Sequence, residues 1–431
     1  MSHYDIVIIG AGPAGLAAAH AAATLAAAPS SGANTALRIC VVDDNPHAGG
    51  QIWRGGPQRQ TDERARCLWA ELQAMPNVTF MHQSRVLYAP APETLLVQGA
   101  ESAVTLHYKR LIIATGAREH LLPFPDWTLP GVSGAGGLQA LVKGGYPVSG
   151  KRIVVAGSGP LLLAVAATLK DKGAVISAIV EQATLPQLAR FAFGLLATPS
   201  RIAQARQLRK QLRGIPYWTS SFVQAAHGDG DRLAYAQIQR NGKTENLPCD
   251  YLACGYGLLP NLELAMALGC ATGDAVQVND WQQTTVSGIY CAGESTGIGG
   301  VDLALAEGRI AGLAAAGRGH TAPPAQIQAL FAERARWQQF ARRLARGFAL
   351  RPELRELAAD DTIVCRCEDL RHGELRQHGS WRSAKLHTRC GMGPCQGRIC
   401  GGATGTLYGW RPDAVRLPIS PARIASIIGT E

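Results

Sequence analysis

The stretch YDIVIIGAGPAGL, residues 4–16, decides the fold of the first part of the chain. An apolar strand runs into a glycine turn, and an Ala- and Leu-rich helix follows. In a dinucleotide-binding βαβ unit the first glycine permits the sharp turn, the second lets phosphates approach the backbone, and the third lets helix and strand pack closely. Gly10, Gly12 and Gly15 occupy these three places.

The residues around this turn complete the expected site. Pro13 and Ala14 begin the helix, whose free N–H groups and partial positive charge suit phosphates. The next strand, residues 38–42, ends in Asp43 and Asp44. An acid in that place accepts hydrogen bonds from the adenine ribose. We predict that Asp43 does so and that Asp44 caps the following turn.

A second stretch, RIVVAGSGP at residues 152–160, repeats the strand–glycine turn–helix pattern. Two such units predict an α/β chain with two Rossmann-like dinucleotide-binding domains, the second inserted in the first. We expect the first domain to comprise residues 1–116 and 246–320, and the second residues 117–245. Residues 326–431 are expected to form a small C-terminal domain.

Three further segments favour FAD over NAD in the first domain. One follows the second strand, one ends a later strand in small residues, and one closes the domain with an acid placed for the ribityl hydroxyls. They contribute Gly50, Gln51, Thr115, Gly116, Gly293 and Glu294. This ordered set resembles the flavoprotein disulfide reductase superfamily over residues 1 to about 320, which implies FAD; FMN stays open. No closely spaced cysteine pair follows Gly49-Gly50, so disulfide reduction is not expected.

The second glycine turn departs from the pattern. Gly157 and Gly159 are in place, but Leu162 stands where the third glycine belongs, and its side chain should push the helix from the strand. Glu181 ends the next strand and suits a ribose hydroxyl. A second nucleotide (NAD or ATP, or FMN at a subunit interface) and a vestigial site therefore both stay open.

Five of the eleven cysteines crowd the last 67 residues. We predict that Cys365, Cys367, Cys395 and Cys400 hold a 2Fe-2S cluster, because two close pairs of thiolates suit four-coordinate iron. Structural zinc is the alternative, although a Cys-x-Cys pair is unlike the usual zinc knuckle. The fifth, Cys390, is expected to be a spare thiol rather than a ligand.

The stretches VCRCE (364–368) and TRCGMGPCQGR (388–398) resemble the bacterioferritin-associated-ferredoxin-type domain. That domain ends the α subunits of bacterial D-hydroxyproline, octopine and nopaline dehydrogenases and of hydrogen cyanide synthase, and LLPFPDWTLPGV (121–132) also resembles that family. The resemblance implies an α subunit that relays electrons from a separate β subunit, which resembles D-amino-acid oxidases and carries its own FAD. A small ferredoxin-like subunit sometimes joins such complexes.

Composition and charge narrow the classes of partner and the cellular location that we expect. The net charge is +10, and residues from 326 onward hold 17 Lys and Arg against 10 Asp and Glu. Because aromatic residues are not interleaved with these arginines, we expect no nucleic acid and favour an acidic protein partner. No targeting or membrane-spanning segment is apparent, so we expect a cytoplasmic protein, with peripheral membrane contact left open.

These observations predict an FAD- and iron-sulfur-containing electron-transfer subunit of a heteromeric amine or imino-acid dehydrogenase. D-hydroxyproline dehydrogenase is the first candidate, with opine dehydrogenase or hydrogen cyanide synthase subunits as alternatives. A self-contained NADH:acceptor oxidoreductase and a zinc-stabilised scaffold are the rival classes. No substrate acid or base is identified, because the histidines are isolated in the sequence.

Overall fold

The structure, a computed structural model, describes residues 2–25, 36–56, 60–317, 324–412 and 414–428. Within these ranges the chain packs as two compact units. The first unit contains residues 1–118, 260–341 and 414–431, and the second contains residues 119–259 and 342–413.

The strands are, in chain order, β1 (Ser2–Ile9), β2 (Ile39–Val42), β3 (Val78–Met81), β4 (Arg85–Tyr88), β5 (Thr94–Gln98), β6 (Ala103–Ile113), β7 (Ala117–Glu119), β8 (Val132–Gly134), β9 (Arg152–Gly157), β10 (Val175–Glu181), β11 (Tyr217–Trp218), β12 (Phe222–Asp229), β13 (Arg232–Arg240), β14 (Lys243–Pro248), β15 (Tyr251–Gly255), β16 (Leu258–Pro260), β17 (Ile289–Cys291), β18 (Ile363–Cys365) and β19 (Leu370–Arg371).

The helices are, in chain order, α1 (Pro13–Leu25), α2 (Glu63–Gln73), α3 (Ala135–Lys143), α4 (Leu161–Asp171), α5 (Leu185–Gly194), α6 (Pro199–Gln211), α7 (Glu263–Ala267), α8 (Val301–Ala315), α9 (Pro324–Gly347), α10 (His372–Leu375), α11 (Trp381–Thr388), α12 (Cys400–Tyr408) and α13 (Ile424–Ile428).

The first unit is built on a sheet of order β3-β2-β1-β6-β5-β4, with β17 also paired to β6. Strands β3, β2, β1, β6 and β17 run parallel. The Val- and Ile-rich central stretch is buried, as parallel sheets require, over residues 6–9, 39–42, 111–113 and 289–291, whereas the edge strand β3 is partly exposed. Helix α1 packs against α8, where Gly308 and Gly312 lie directly on the α1 backbone. The glycine turn between β1 and α1 therefore lies at the carboxyl edge of this sheet.

The second unit has its own parallel sheet of order β11-β10-β9-β15-β8 and an antiparallel sheet of order β12-β13-β14. Its second glycine turn joins β9 to α4. Residues 342–413 belong to this unit, and a small core forms there around Trp381, Leu375 and three cysteines. The predicted α/β class with two Rossmann-like domains, the second inserted in the first, is confirmed.

The C-terminal quarter of the chain is shared between the two packing units. Residues 326–431, predicted as one C-terminal domain, contribute to both packing units. Their independence as a domain, and the bounds 1–116, 117–245 and 246–320, stay predictions. Within the described ranges, every helix lacks either the length or the apolar character that crossing a lipid bilayer requires.

Candidate functional site: a flavin turn and a thiol cluster

The first glycine turn leaves room above Gly12. Gly10 has a φ of +106°, and a Cβ there would collide with the carbonyl of Ala114. A Cβ on Gly15 would likewise collide with the carbonyl of Gly10. At Gly12, in contrast, φ is ordinary and the nearest atom to an added Cβ is the Gly50 Cα at 3.9 Å. Because packing within the protein does not require a glycine there, the open space fits the pyrophosphate of FAD.

The two acids after β2 have different surroundings. Asp43 is buried, and its carboxylate accepts hydrogen bonds from the Ala11 N–H at 2.5 Å and the Asn45 N–H at 2.8 Å. Asp44 is exposed and lies 3.7 Å from Arg85. Asp43 therefore links the end of β2 to the glycine turn through a hydrogen bond. A ribose-binding acid occupies this position in dinucleotide-binding domains. Both predicted roles stay predictions.

The predicted flavin residues after β2 lie beside the turn. Gly50 has a φ of +60°, and its backbone faces Gly12, where an added Cβ would lie 3.0 Å from the Gly12 Cα. Gln51 is exposed, and its side-chain carbonyl accepts from Arg54 at 2.7 Å. The structure therefore brings Gly50 to the turn, whereas the Gln51 side chain is held by a neighbour.

Thr115 and Gly116, at the end of β6, are held by a residue that the sequence did not single out. The Asn261 side-chain amide donates to the Thr115 carbonyl at 2.8 Å, and the Asn261 N–H donates to the Gly116 carbonyl at 3.0 Å. The Ser295 hydroxyl also donates to the Gly116 carbonyl, at 3.1 Å. No local motif could have identified Asn261, because it lies 146 positions from Thr115.

Gly293 and Glu294 depend on a second buried acid, Glu307 on α8. The Glu307 carboxylate accepts from the Gly293 N–H at 3.0 Å and from the Thr296 hydroxyl at 2.7 Å, and the residue is 3% exposed. Glu294 itself accepts from the Gly300 N–H at 3.0 Å. Burial raises the pKa of both carboxyls, and that of Glu307 reaches about 7 against opposing hydrogen bonds. Glu307 therefore positions the turn that carries the predicted ribityl-binding acid.

This raised pKa predicts a pH dependence of stability. Because an unfolded Glu releases its proton near pH 4.5, the folded chain retains a proton between about pH 4.5 and 7 that the unfolded chain has lost. The contribution of Glu307 to the free energy of unfolding should therefore fall as pH rises through this window, by up to about 3 kcal/mol. In Glu307→Gln that part of the decline should be absent, as measured by thermal midpoints at pH 5 and pH 8.

Glu101→Gln, a change at an exposed turn residue, is the control for this measurement. It should reproduce the wild-type difference between the two thermal midpoints. Identical pH dependence in wild type and Glu307→Gln would contradict the prediction.

The second glycine turn has the backbone of a nucleotide site, and another part of the chain contacts it. Gly157 and Gly159 have φ values of +138° and +98°. A Cβ on Gly159 would lie 3.8 Å from the ring of Phe348, and the Ser158 hydroxyl donates to the Phe348 carbonyl at 3.0 Å. The Gln182 side chain donates to the Ser158 hydroxyl at 2.9 Å. Phe348 thus contacts the second turn through both its ring and its carbonyl.

Glu181 is likewise engaged by the protein itself. It is fully buried, and its two carboxylate oxygens accept from the Gly159 N–H at 2.8 Å and the Ala183 N–H at 2.9 Å. Burial raises its pKa to about 7. Leu162, at the third glycine position, is a core residue with no exposed surface. The three predicted nucleotide residues of this turn lie together, but the structure leaves Glu181 no exposed surface for a ribose.

The five C-terminal cysteines converge in the second unit. The sulfurs of Cys365, Cys390 and Cys400 lie within 4.8 Å of one another, and all three residues are buried. The Cys395 sulfur contacts that of Cys400, and the exposed Cys367 contacts Cys395. The four predicted ligands thus lie together, and Cys390, predicted to be spare, lies beside them. The assignment of ligands stays a prediction.

The thiols of this cluster share hydrogen bonds with one another. Hydrogen bonds from the Cys390 and Cys400 thiols lower the pKa of Cys365, and the Gly391 N–H adds to the effect. A hydrogen bond from Cys400 lowers the pKa of Cys395, with help from the Gly397 N–H. The pKa of Cys390 and of Cys400, which donate in these contacts, is raised. Backbone N–H groups from the glycine-rich loop therefore face the sulfurs, and converging thiols with such donors fit a cluster of iron and sulfide.

The loop around these sulfurs depends on two glycines. Gly391 and Gly397 have φ values of +76° and +78°, and a Cβ on Gly391 would lie 2.5 Å from the Trp381 ring. The Trp381 ring on α11 therefore packs against the loop between α11 and α12. In this arrangement Cys365, from β18, lies next to Cys400, the first residue of α12.

A glycine turn that fits FAD, on an α/β fold with a second dinucleotide-type domain, defines an FAD-dependent oxidoreductase. The chain matches the family model of pyridine nucleotide-disulphide oxidoreductases over residues 4–318 and belongs to that family. Curated relatives are parts of multi-subunit enzymes. The chain is 31% identical to the hydrogen cyanide synthase subunit HcnB of Pseudomonas aeruginosa, over 99% of each chain. It is 30% identical to an opine oxidase subunit of Agrobacterium tumefaciens, over 98% of this chain and 91% of the relative.

Solved structures agree on the fold. L-proline dehydrogenase from P. horikoshii matches with a TM-score of 0.64 at 19% identity, over 99% of this chain and 79% of the other. T. acidophilum thioredoxin reductase matches with a TM-score of 0.53 at 19% identity, over 74% of this chain and 99% of the other. The predicted family, flavin oxidoreductase subunits of heteromeric dehydrogenases, is confirmed by the curated relatives.

Proposed function

We propose that this chain is the electron-transfer subunit of an amine or imino-acid dehydrogenase, with FAD at the first glycine turn and a 2Fe-2S cluster at the C-terminal cysteines. A partner subunit that resembles D-amino-acid oxidases and carries its own FAD oxidises the substrate, and this chain passes the electrons on. A D-hydroxyproline-like imino acid is the first substrate candidate. The protein acts in the cytoplasm, and a small ferredoxin-like subunit completes some complexes of this kind.

The observation that carries the proposal is the thiol cluster in a flavoprotein chain. A flavin exchanges two electrons, whereas an iron-sulfur cluster passes one at a time, so a chain that binds both can separate an electron pair. Cys365 and Cys400 are each only 1% exposed, while Cys367 is exposed. A cluster held there would have buried ligands on one side and a ligand near solvent on the other, which suits transfer to an outside acceptor.

The surroundings of the second turn favour a partner subunit over NADH as the electron donor. A nicotinamide dinucleotide needs its pyrophosphate against the second glycine and its ribose on the following acid. In this chain the Ser158 hydroxyl between the two glycines donates to the Phe348 carbonyl, and Glu181 has no exposed surface. Both observations support the partner subunit over the rival function of a self-contained NADH:acceptor oxidoreductase.

The proposed class of substrate is inferred from the names of the relatives. Opine oxidase and L-proline dehydrogenase are named for secondary-amine substrates, and this chain is similar to one subunit of the first enzyme over nearly its whole length. An imino acid has the same secondary amine, which supports a D-hydroxyproline-like substrate. Hydrogen cyanide synthase, whose subunit HcnB is equally similar, is the alternative that the same test addresses.

Purified chain, loaded with flavin and iron, should neither oxidise D-hydroxyproline, opines or glycine nor have its flavin bleached by NADH. Adding the amine-oxidising subunit should produce amine-dependent reduction of both the flavin and the cluster in this chain, because that subunit then donates electrons to it. Anaerobic absorption spectra follow the flavin, and electron paramagnetic resonance follows the cluster.

Two outcomes of this experiment would contradict the proposal. Turnover of an amine by the chain alone would place substrate oxidation here rather than on a partner. Rapid bleaching by NADH would restore the rival function, and Phe348→Ala provides the matched comparison. If Phe348 is what closes the turn, only that variant should gain measurable NADH binding.

A further inference from the structure

Helix α5 of the second unit carries no buried residue, although eight of its ten residues are apolar or glycine. Its two polar residues, Gln187 and Arg190, lie on one side. Residues of its inner side are half-buried, and an apolar stripe on its outer side is exposed. We define the α5 apolar face as the exposed residues Leu185, Ala189, Ala192 and Phe193, which are spaced as one side of a helix, together with the exposed Leu196 in the turn that follows.

The exposure of this face is large. Leu185 is 66%, Phe193 77% and Leu196 64% exposed. Single exposed apolar residues are ordinary, but a contiguous stripe with polar surroundings marks a surface that another molecule covers. Phe193 is the most prominent side chain of the stripe, and aromatic residues are enriched at the centres of protein interfaces.

The helix is held in place from its inner side. The Phe191 ring packs edge-on against that of Phe348 at 5.0 Å, and the Gly194 carbonyl accepts from Arg343 at 3.1 Å. At the start of the helix, the Gln187 side chain accepts from the Thr184 N–H at 2.8 Å. The outer face is therefore presented by a fixed element, and little conformational entropy is lost when it is covered.

The charge of this part of the chain selects the kind of partner. No Asp or Glu occurs between Glu181 and Asp229, so every charged residue of the segment that contains α5 is basic. Helix α6, which is next in the chain, and the residue pair after it expose a basic face made of Arg206, Arg209, Lys210 and Arg213. A second copy in a symmetric contact would bring this face against itself, which like-charge repulsion disfavours. A partner with an acidic rim is attracted.

We propose that the α5 apolar face, together with the α6 basic face, is the docking site of the substrate-oxidising partner subunit, which presents an apolar patch with an acidic rim. This inference rests on the proposed function, because that function supplies the partner. The curated relatives are themselves subunits, so a protein is favoured over a lipid surface as the occupant.

The test uses the complex isolated through a tag on this chain, with the partner subunit identified by amine-dependent flavin reduction. Phe193→Asp combined with Leu196→Asp should weaken association by roughly a hundredfold, because two charges would be buried at an interface centre. The variant should elute as the single chain with unchanged flavin and iron. Leu141→Asp, at a residue 56% exposed on α3 of the same unit, is the control and should keep the complex.

A second variant tests the charge separately from the apolar stripe. Replacing Arg206, Arg209 and Lys210 with Glu should weaken association at low salt and reverse its salt dependence, because attraction becomes repulsion. A complex that survives both variants unchanged would overturn the docking site while leaving the proposed function standing. Absence of any amine-oxidising partner from the complex would overturn both.

Two other occupants give distinct signals. Self-association of the isolated chain that Phe193→Asp abolishes, seen by analytical ultracentrifugation, would assign the face to a second copy. Binding to vesicles of phosphatidylglycerol and phosphatidylcholine that the same variant abolishes would assign it to a membrane. Either result would overturn the proposal.

Discussion

Replacing Gly12 with Val should give a folded chain that has lost its flavin. The valine methyl groups would occupy the space above the turn that we assign to the pyrophosphate. Among the described residues, apart from the two next to Gly12 in the chain, the atom nearest to the added Cβ is the Gly50 Cα at 3.9 Å. We expect flavin affinity to fall by roughly a hundredfold or more, about 3 kcal/mol. Flavin content after gel filtration and the thermal midpoint of the flavin-free protein measure the two effects.

Two further substitutions, one at Gly15 and a smaller one at Gly12 itself, are the controls for this prediction. Gly15→Val should abolish folding altogether, since a Cβ there collides with the carbonyl of Gly10. Gly12→Ala should have an intermediate flavin affinity and the stability of the flavin-free wild type. If Gly12→Val retained full flavin, the assignment of the first site would be wrong; if it unfolded like Gly15→Val, the space above the turn would have a structural role instead.

Serine substitution at the five C-terminal cysteines should separate four ligands from one bystander. Cys365→Ser, Cys367→Ser, Cys395→Ser and Cys400→Ser should each lose most of the iron, because four thiolates satisfy a 2Fe-2S cluster. Cys390→Ser should keep the iron. Its thiol contacts the Cys365 sulfur, so we expect a changed reduced-state paramagnetic resonance signal even though the cluster survives.

Flavin content is the internal control for these five variants. It should stay constant, because the predicted flavin residues belong to the first packing unit and the cysteines to the second. Iron and sulfide analysis then reports on the cluster alone. Loss of iron in Cys390→Ser with retention in Cys395→Ser or Cys400→Ser would overturn the ligand set, and zinc in place of iron would revive the scaffold alternative.

Local patterns were sufficient for the parts of the molecule that are local in sequence. The turn at Gly10–Gly15, its repeat at Gly157–Gly159 and the cysteine spacing each lie within a short stretch, so periodicity and residue type predicted the strands and helices around them. The α/β class and the insertion of one domain in the other followed from the order of these stretches.

Residues that act over long sequence distances escaped that reasoning. Asn261 holds Thr115 across 146 positions, and Phe348 meets Ser158 across 190. Glu307 lies on an ordinary-looking helix, and its role appears only when α8 packs against the Gly293 turn. Cys390 was set aside because four ligands sufficed by count, whereas the folded loop brings its sulfur beside two of them.

Packing around Gly157 constrains the second glycine turn independently of any ligand. A Cβ on Gly157 would collide with the carbonyl of Gly255 whether or not a nucleotide binds. Replacing this glycine is therefore costly even in a protein whose second turn binds nothing, so the glycine by itself is weak evidence of nucleotide binding. In this chain the surroundings of the turn, including Phe348 and the buried Glu181, say more about its use than the glycines do.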